Sequence, residues 1–297
     1  MTDITILTCQ KHLQPADSIY GQNILLERNL LVDSLEKRGL IVACKSWDDP
    51  DYDWTETRAV VFRTIWDYFE RFDEFSVWLE VVKTKTQLIN PYELIVWNVD
   101  KHYLADLEAK GIAIVPTAYV DTGAYRSIDA VCKSKNWKDV IIKPAIAGTA
   151  FHTYKVLESE RPDFEVMFEE LVGERDMLIQ PFIETITTKG EASLMVFNGQ
   201  FTHAIVKKVK KGDYRVQDNF GGTVGPYSPT TEEINFAQQC FAACEILPAY
   251  GRADILWDTE GNILLGELEI VEPELWVRSA PESATLFAEG IVNSMSR

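Results

Sequence analysis

The stretch that decides the fold is RADILWD (252–258), the turn TEGN (259–262) and ILLGELE (263–269). Two alternating apolar and polar runs around a glycine turn predict an antiparallel hairpin. A turn centred on Glu260-Gly261 places Asp258 opposite Ile263. The same register places Asp254 opposite Glu267, and Arg252 opposite Glu269. Because side chains alternate along a strand, these charged groups share one face of the hairpin.

The opposite face of this hairpin is predicted to be core, and its residues are Ala253, Ile255, Trp257, Leu264, Leu268 and Ile270. The charged face holds three carboxylates, and like charges that face each other across strands are destabilising. A divalent cation can compensate such a cluster. Since no His or Cys joins it, Mg²⁺ or Mn²⁺ fits better than zinc. A solvated face neutralised by Arg252 and nearby lysines stays open as the alternative.

Composition excludes several function classes. The net charge of the 297-residue chain is −17, which disfavours binding to nucleic acid. No run of about 18 apolar residues indicates a membrane span, and the N-terminus lacks the basic region of a signal peptide. The five cysteines are odd in number and lack metal-site spacing, so we expect free thiols and a cytoplasmic protein. The oligomeric state stays open, a homo-oligomer included.

The first third of the chain alternates predicted strands and helices. Strands are expected at 4–9, 40–46, 59–64 and 87–90, and helices at 23–37 and 72–83. This order is typical of an open, mostly parallel α/β sheet. Ligands bind at the carboxyl ends of the strands in such sheets.

The rest of the chain changes character. Helices are expected at about 100–109, 124–135, 164–172 and 232–246, and strands at 112–120, 140–143, 177–180, 192–197 and 201–207. Asn198-Gly199 is a strong hairpin-turn signal, and the glycine pair at 221–222 marks a loop. Thr230 and Glu233 have the spacing of a helix capping box. An α+β arrangement around an antiparallel sheet is therefore expected in the C-terminal part.

Lys143 ends the apolar strand VIIK and precedes the small-residue turn PAIAGT (144–149). Gly148 and Thr149 in that turn leave room for backbone N–H groups to approach phosphate oxygens. The turn lacks the Walker spacing, and no glycine-rich dinucleotide fingerprint occurs elsewhere. Taken alone, Lys143 is better interpreted as a lysine that extends from a strand end to solvent.

The order of these features resembles the ATP-grasp superfamily, in its glutathione-synthetase-like branch. The shared series is Lys101 near a helix start, Lys143-Pro144, the small turn, Gln180-Pro181-Phe182-Ile183, Gly190-Glu191 and the acidic hairpin. Two strings, RTIWDY (63–68) and ELEIVEP (267–273), resemble the ATP-grasp ligase of cycloserine biosynthesis and its uncharacterised relatives. The resemblance covers most of the chain, and its specificity comes from the order of the parts.

The resemblance implies roles for individual residues. Magnesium would be held by Asp254, Glu267 and Glu269, although the family usually has Asn where Glu269 stands. Lys101 and Lys143 would contact the ATP phosphates, Gly148 and Thr149 would cover them, Gln180, Pro181, Phe182 and Ile183 would form the adenine hinge, and Glu191 would hold the ribose. Arg252 would stabilise the transferred phosphoryl group, and Lys207 is placed with it as a catalytic group.

The string at 63–68 is expected to shape the acceptor pocket. Arg63 can hold a carboxylate with two parallel hydrogen bonds, and Asp67 can hold an ammonium group. Trp66 and Tyr68 complete the predicted pocket, with simple packing as the alternative. His203 shares a strand face with Lys207, and a structural role is favoured for it over a catalytic one.

The resemblance implies an ATP-dependent ligase with ATP and Mg²⁺ (or Mn²⁺) as cofactors. It would activate a small-molecule carboxylate, an amino acid or a derivative, as an acyl phosphate for attack by an amine or related nitrogen nucleophile. An ATP-grasp kinase and a non-catalytic divalent-cation-binding protein stay open as alternatives. The expected parts are an N-terminal parallel-sheet domain (1–95), a central subdomain (96–182) with its mobile lid at 112–180, and a C-terminal antiparallel subdomain (183–297).

Overall fold

The computed structural model describes residues 1–14, 17–209 and 222–296. Its helices are α1 (Ile19–Glu36), α2 (Phe72–Val82), α3 (Tyr92–Val99), α4 (Tyr103–Ala109), α5 (Ile128–Lys135), α6 (Arg161–Glu174), α7 (Thr231–Ala242) and α8 (Ser283–Met295). Its strands are β1 (Thr2–Thr8), β2 (Val42–Ser46), β3 (Thr57–Thr64), β4 (Gln87–Ile89), β5 (Ala118–Val120), β6 (Val140–Pro144), β7 (Tyr154–Val156), β8 (Met177–Pro181), β9 (Glu191–Phe197), β10 (Gln200–Lys208), β11 (Thr223–Pro226), β12 (Tyr250–Trp257) and β13 (Ile263–Glu269). None of these helices is both long and apolar enough to cross a bilayer.

The N-terminal sheet is parallel, with strand order β2-β1-β3-β4, as the alternation of strands and helices predicted. Ile4 and Ile6 of β1 are buried against Leu31 and Leu35 of α1. Helix α1 begins before the predicted residue 23, because the Ser18 side chain accepts a hydrogen bond from the N–H of Gly21 and caps the helix there.

Two helices escaped the sequence analysis. Helix α3 begins directly after Pro91, which we had interpreted only as the end of a strand, although proline also fits a helix start. Helix α8 carries Phe287 and Ile291 into the core between the N-terminal and C-terminal sheets. The C-terminal end of the chain therefore packs against the N-terminal domain.

The middle sheet is antiparallel, with strand order β5-β8-β6-β7, and α5 and α6 pack against it. The strand predicted at 112–120 was wrong over most of its length, since only Ala118–Val120 forms it. Pro116 interrupts the run because proline has no N–H to donate. Ile114 instead makes an isolated bridge to Leu265 of β13.

The C-terminal sheet is antiparallel, with strand order β11-β10-β9-β12-β13. Asn198 and Gly199 both have positive φ in the β9–β10 turn, as their sequence signal predicted. Thr230 and Glu233 form the predicted capping box of α7. The loop predicted at 221–222 begins at Gly221, which lies outside the described residues.

The acidic hairpin has the predicted register at its charged end and a different register near its turn. Arg252 pairs with Glu269, and Asp254 with Glu267, as predicted. The register then shifts, so that Ile255 pairs with Leu265 and Trp257 with Ile263. The predicted pairing of Asp258 with Ile263 was therefore wrong.

Because of this register shift, one residue predicted to lie in the core of the hairpin was wrong. Gly266 is the extra residue on β13, and a bulge of this kind reverses the faces of the residues beyond it. Leu265 is fully buried in the core with Ile255, whereas Leu264, the predicted core residue, is half-buried. The carboxylates stay on the intended face because the bulge lies between them and the turn.

Candidate active site

A cleft of about 310 Å³ collects residues from all three parts of the fold. It takes in the ends of β6 and β8, the charged face of β12 and β13, and the segment after β3. The predicted site residues that line it are Trp66, Tyr68, Lys101, Lys143, Gly148, Thr149, Gln180, Pro181, Phe182, Ile183, Glu191, Lys207, Arg252, Asp254, Glu267 and Glu269. Arg63 and Asp67 are absent from this lining.

Lys143 crosses the cleft from β6 to the acidic hairpin. Its Nζ atom lies 2.6 Å from Oε1 of Glu267, and the two side chains are 11% and 29% exposed. Burial alone would raise the pKa of Glu267, but the charges of Lys143 and Lys101 outweigh it and lower that pKa to about 2. A strand-end lysine and a hairpin carboxylate thus form a charged pair inside the cleft.

Lys101 holds the small-residue turn that follows β6. Its Nζ atom donates to the carbonyl oxygen of Ala147 at 2.6 Å, and its backbone N–H donates to Ala145. Thr149 has φ of +48°, in the left-handed region. A Cβ atom at Gly148 would lie 2.8 Å from the ring of Phe69, so glycine is required there in this conformation. The turn brings backbone close to a buried lysine.

A second charge network lies at the base of the cleft. Arg252 donates to both carboxylate oxygens of Asp254, at 2.8 and 2.7 Å. Lys207 lies 3.3 Å from the same carboxylate and pairs with Glu191, while Arg252 also pairs with Glu269. Arg252, Asp254 and Lys207 are buried. Against the effect of burial, the two cations hold the pKa of Asp254 far below its usual range.

Glu269 belongs to this network and lies close to two other carboxylates, those of Asp254 and Glu267. Burial is the main cause that raises its pKa, to about 7, and the charges of Asp254 and Glu267 add to that effect. Arg252 only partly opposes the shift. A cation placed beside Glu269 would therefore be favourable.

The three predicted metal ligands are not equivalent in the structure. Both oxygens of Asp254 accept from Arg252, and one also from Ser193. Glu267 and Glu269 each accept an ion-pair hydrogen bond on Oε1, which leaves Oε2 as a second oxygen. Among the described residues, the cluster with ligand atoms within 4.8 Å of one another is Asp100, His102 and Asp176, on the surface. The three-carboxylate metal site stays a prediction.

The donor chemistry of Glu267 and Glu269 fits magnesium. Mg²⁺ in nucleotide sites is held by one or two carboxylates together with phosphate oxygens, so a cage of three protein ligands is not required. Burial raises the pKa of Glu269 to about 7 despite the ion pair with Arg252, so a further cation there would favour the ionised carboxylate. These two residues would hold the ion, which would supply positive charge to bound phosphate oxygens.

The residues that follow β3 lie in two different places, and only some of them line the cleft. Trp66 and Tyr68 line the cleft, and the Trp66 Nε1 atom donates to the backbone oxygen of Glu272 at 2.8 Å. Arg63 is buried and donates to the backbone oxygen of Pro273 at 2.9 Å, beside a cavity of about 20 Å³ that adjoins the cleft. Asp67 accepts from Trp47 and pairs with Arg71.

Only two of the four residues predicted to form the acceptor pocket line the cleft. In the structure Arg63 and Asp67 serve packing and ion pairing, whereas Trp66 and Tyr68 face the open volume. The ring of His203 bonds to the backbone oxygen of Leu275 at 2.8 Å, outside the cleft lining, which agrees with a structural role.

Among the cleft-lining residues that the sequence did not predict are Tyr20, Glu272 and Trp276. Glu272 was within a quoted string, and its position three residues beyond Glu269 was the available signal. Nothing local distinguished Tyr20 or Trp276 from ordinary packing residues.

A parallel N-terminal sheet, two antiparallel sheets and a cleft in which two lysines face an acidic hairpin are the architecture of an ATP-grasp enzyme. Residues 109–245 match the family model of the prokaryotic glutathione synthetase ATP-grasp domain. Residues 4–90 match that of the D-cycloserine synthetase DcsG N-terminal domain. Residues 109–245 thus form an ATP-grasp domain, and the protein is an ATP-dependent ligase.

Individual relatives agree with this family. The cycloserine biosynthesis protein DcsG of Streptomyces lavendulae is 28% identical over 289 residues, which cover 89% of this chain and 92% of the relative. The crystal structure of D-cycloserine synthetase DcsG superposes with a TM-score of 0.87 at 25% identity, covering 98% of this chain and 99% of that one.

More distant structures share the fold. A D-alanine–D-alanine ligase from Bacillus anthracis has a TM-score of 0.67 at 14% identity, covering 100% of this chain and 98% of its own. The ATP-grasp ligase PsnB, in a complex with a precursor variant, Mg and ADP, has a TM-score of 0.65 at 13% identity, and 99% of each chain is covered.

Proposed function

We propose that this ligase transfers the γ-phosphoryl group of ATP to the carboxylate of a small molecule, an amino acid or a derivative. An amine or related nitrogen nucleophile then displaces the phosphate and forms a C–N bond. The observation that carries the proposal is the Lys143–Glu267 pair at 2.6 Å, in a cleft where Lys101 also holds the glycine turn. Cations for phosphate and carboxylates for a divalent ion thus meet at one place.

We assign different roles in ATP binding to different residues of the cleft. Mg²⁺, held by Glu267 and Glu269, would supply positive charge to the phosphate oxygens and to the transferring group. Lys101 and Lys143 would bind the phosphates, and the backbone N–H groups of the turn at 148–149 would cover them. The segment at 180–183 would receive the adenine ring.

Arg252 is proposed as the group that stabilises charge on the transferred phosphoryl group. Its guanidinium group is fixed by Asp254 and Glu269, so it needs no reorganisation when negative charge develops nearby. Lys207, fixed by Asp254 and Glu191, would add a second cation. Closure of the turn over the cleft would exclude water, which would hydrolyse the acyl phosphate.

DcsG is named for cycloserine biosynthesis, and D-alanine–D-alanine ligase for joining two amino acids. Those names support an amino acid or derivative as the acceptor of this chain.

The test combines nucleotide binding with trapping. Calorimetry with Mg²⁺ and a non-hydrolysable ATP analogue measures binding, and hydroxylamine converts an acyl phosphate to a hydroxamate while ADP is released. Lys143→Met should weaken nucleotide binding at least about tenfold, because it removes a charged contact to phosphate. Lys135→Ala, which removes an exposed lysine of α5, is the matched control.

Each outcome is informative. Hydroxamate formation that depends on ATP and on an amino acid supports a ligase. Release of a stable phosphorylated product instead identifies a kinase. An absence of nucleotide binding by the wild-type protein rejects both and leaves a cation-binding protein.

A further inference from the structure

The acidic residues that line the cleft are almost all neutralised by a neighbouring cation. Their partners are Lys207 for Glu191, Arg252 and Lys207 for Asp254, Lys143 for Glu267, Arg252 for Glu269 and Arg278 for Glu274. Glu272 is the exception: among residues 1–14, 17–209 and 222–296 it has no ion-pair partner. A partly buried carboxylate without a partner is costly unless a ligand compensates it.

The cations near Glu272 bind other groups. Lys101 and Arg252 are close enough to act on Glu272 electrostatically, but Lys101 donates to Ala147 and Arg252 donates to Asp254 and Glu269. Tyr68 supplies a hydrogen bond to the Glu272 carboxylate. Burial still raises the pKa of Glu272 to about 7. Among the residues that the structure describes, the Glu272 carboxylate therefore has neutral hydrogen-bond donors and no ion-pair partner.

The surroundings of Glu272 are aromatic and fixed. Trp66 and Tyr20 stack with ring centroids 6.3 Å apart, and both line the cleft with Tyr68. The Trp66 indole donates to the backbone oxygen of Glu272 and holds the residue in place. Aromatic faces attract cations such as ammonium groups, so these walls and the carboxylate favour the same kind of ligand.

Trp276 gives a second, independent sign of a ligand. It lines the same cleft, it is 5% exposed, and its Nε1 atom has no hydrogen-bond partner within the described part of the chain. Its backbone has φ of +43°, a left-handed conformation that is uncommon for residues other than glycine and is enriched at functional sites. A buried donor without an acceptor is rare in native proteins, and a ligand oxygen would satisfy it.

We propose that Glu272 binds the protonated amine of the substrate, with Trp66, Tyr68 and Tyr20 as the walls of this subsite. Glu272 lies three residues beyond Glu269, so it is at most about 10 Å along the chain from the phosphate site. The substrate is thereby a compact molecule in which an ammonium group lies close to the carboxylate that is activated. The inference rests on the proposed function and replaces Asp67, which is bound to Arg71, as the ammonium-binding residue.

The experiment compares amino acids with 2-hydroxy acids of the same shape. D- and L-alanine are tested against D- and L-lactate, and D- and L-serine against D- and L-glycerate, by calorimetry at saturating Mg²⁺ and non-hydrolysable ATP analogue. At least one amino acid should bind about tenfold or more tightly than its hydroxy acid, because only the amine makes a charged hydrogen bond. Equal affinities, or no binding of any amino acid while the nucleotide binds, would overturn the subsite.

Two variants locate the effect. Glu272→Gln keeps the shape of the side chain and removes the charge, so it should abolish the preference and leave nucleotide affinity unchanged. Glu274→Gln is the matched control, since it lines the same cleft but is already paired with Arg278 at 2.8 Å. It should keep the preference. If both variants lose the preference equally, the selectivity comes from the total charge of the cleft, and the assignment of Glu272 is wrong.

This comparison separates the two proposals. Failure of the nucleotide to bind contradicts the proposed function. Normal nucleotide binding without any preference for amines contradicts the ammonium subsite alone.

Discussion

Replacement of Glu267 by glutamine tests the charge pairing at the centre of the cleft. The carboxylate lies 2.6 Å from the ammonium group of Lys143, and it is also the proposed ligand of the divalent ion. The variant keeps the side-chain volume and removes the charge. Lys143 then loses its charged acceptor, and the ion loses one of its two protein ligands.

The structure sets the size of both effects. A charged hydrogen bond contributes about 1.5–3 kcal/mol when it is buried, and the 29% exposure of Glu267 reduces this to about 1–2 kcal/mol. For a chain of this size, such a loss lowers the melting temperature by about 2–6 °C. Turnover should fall more than about tenfold, because a ligand of the charge-neutralising ion is lost.

The assays are thermal unfolding without nucleotide and ADP release with saturating ATP over a series of Mg²⁺ concentrations. The variant should need more Mg²⁺ than the wild type. Glu260→Gln, an exposed residue in the turn of the same hairpin, is the control and should change neither quantity. A Glu267→Gln protein with wild-type turnover and wild-type Mg²⁺ dependence would refute the reasoning.

Three further predictions follow from other parts of the structure. Gly148→Ala should raise the KM for ATP several-fold and lower stability less, because the added Cβ atom would lie 2.8 Å from the Phe69 ring. Steady-state kinetics measure the KM, and thermal unfolding measures the stability. An unchanged KM for ATP would contradict this prediction. The pKa of Glu272 is raised from 4.5 to about 7, so its contribution to stability is present below pH 4.5 and is lost as pH rises through 7. Denaturant unfolding of Glu272→Gln should therefore show a stability gain over wild type that grows by about 2–3 kcal/mol between about pH 5 and about pH 8, and a constant difference would count against it. Hydrogen exchange with and without nucleotide should show protection concentrated at 147–150; uniform protection would argue against a lid.

The sequence predicted the charged face of the hairpin because strand periodicity is two and the turn signal is strong. Asp254 and Glu267 lie opposite each other as those rules require. Strict alternation around the turn did not locate the bulge at Gly266, although a glycine inside a strand is a bulge signal. The error therefore appeared on the core face, at Leu264 and Leu265, and spared the carboxylates.

Contacts between distant segments were accessible only through the resemblance. Lys143 and Glu267 are 124 residues apart, and no periodicity brings them together. For Arg63, the sequence predicted the strand but not the direction of the side chain. Its strand end was predicted well, but its side chain donates to Pro273 beside the cleft. The direction of a side chain after a strand depends on tertiary packing, which one sequence does not encode locally.

The most direct test of the central claim follows an oxygen atom. An amino acid that is accepted by the enzyme is labelled with oxygen-18 in its carboxylate and incubated with Mg²⁺, ATP and hydroxylamine, and the inorganic phosphate is analysed by mass spectrometry. Activation of the carboxylate predicts one labelled oxygen in the phosphate, because the bond that breaks in the second step lies between the acyl carbon and the bridging oxygen. Unlabelled phosphate released at the same rate as ADP would contradict the account.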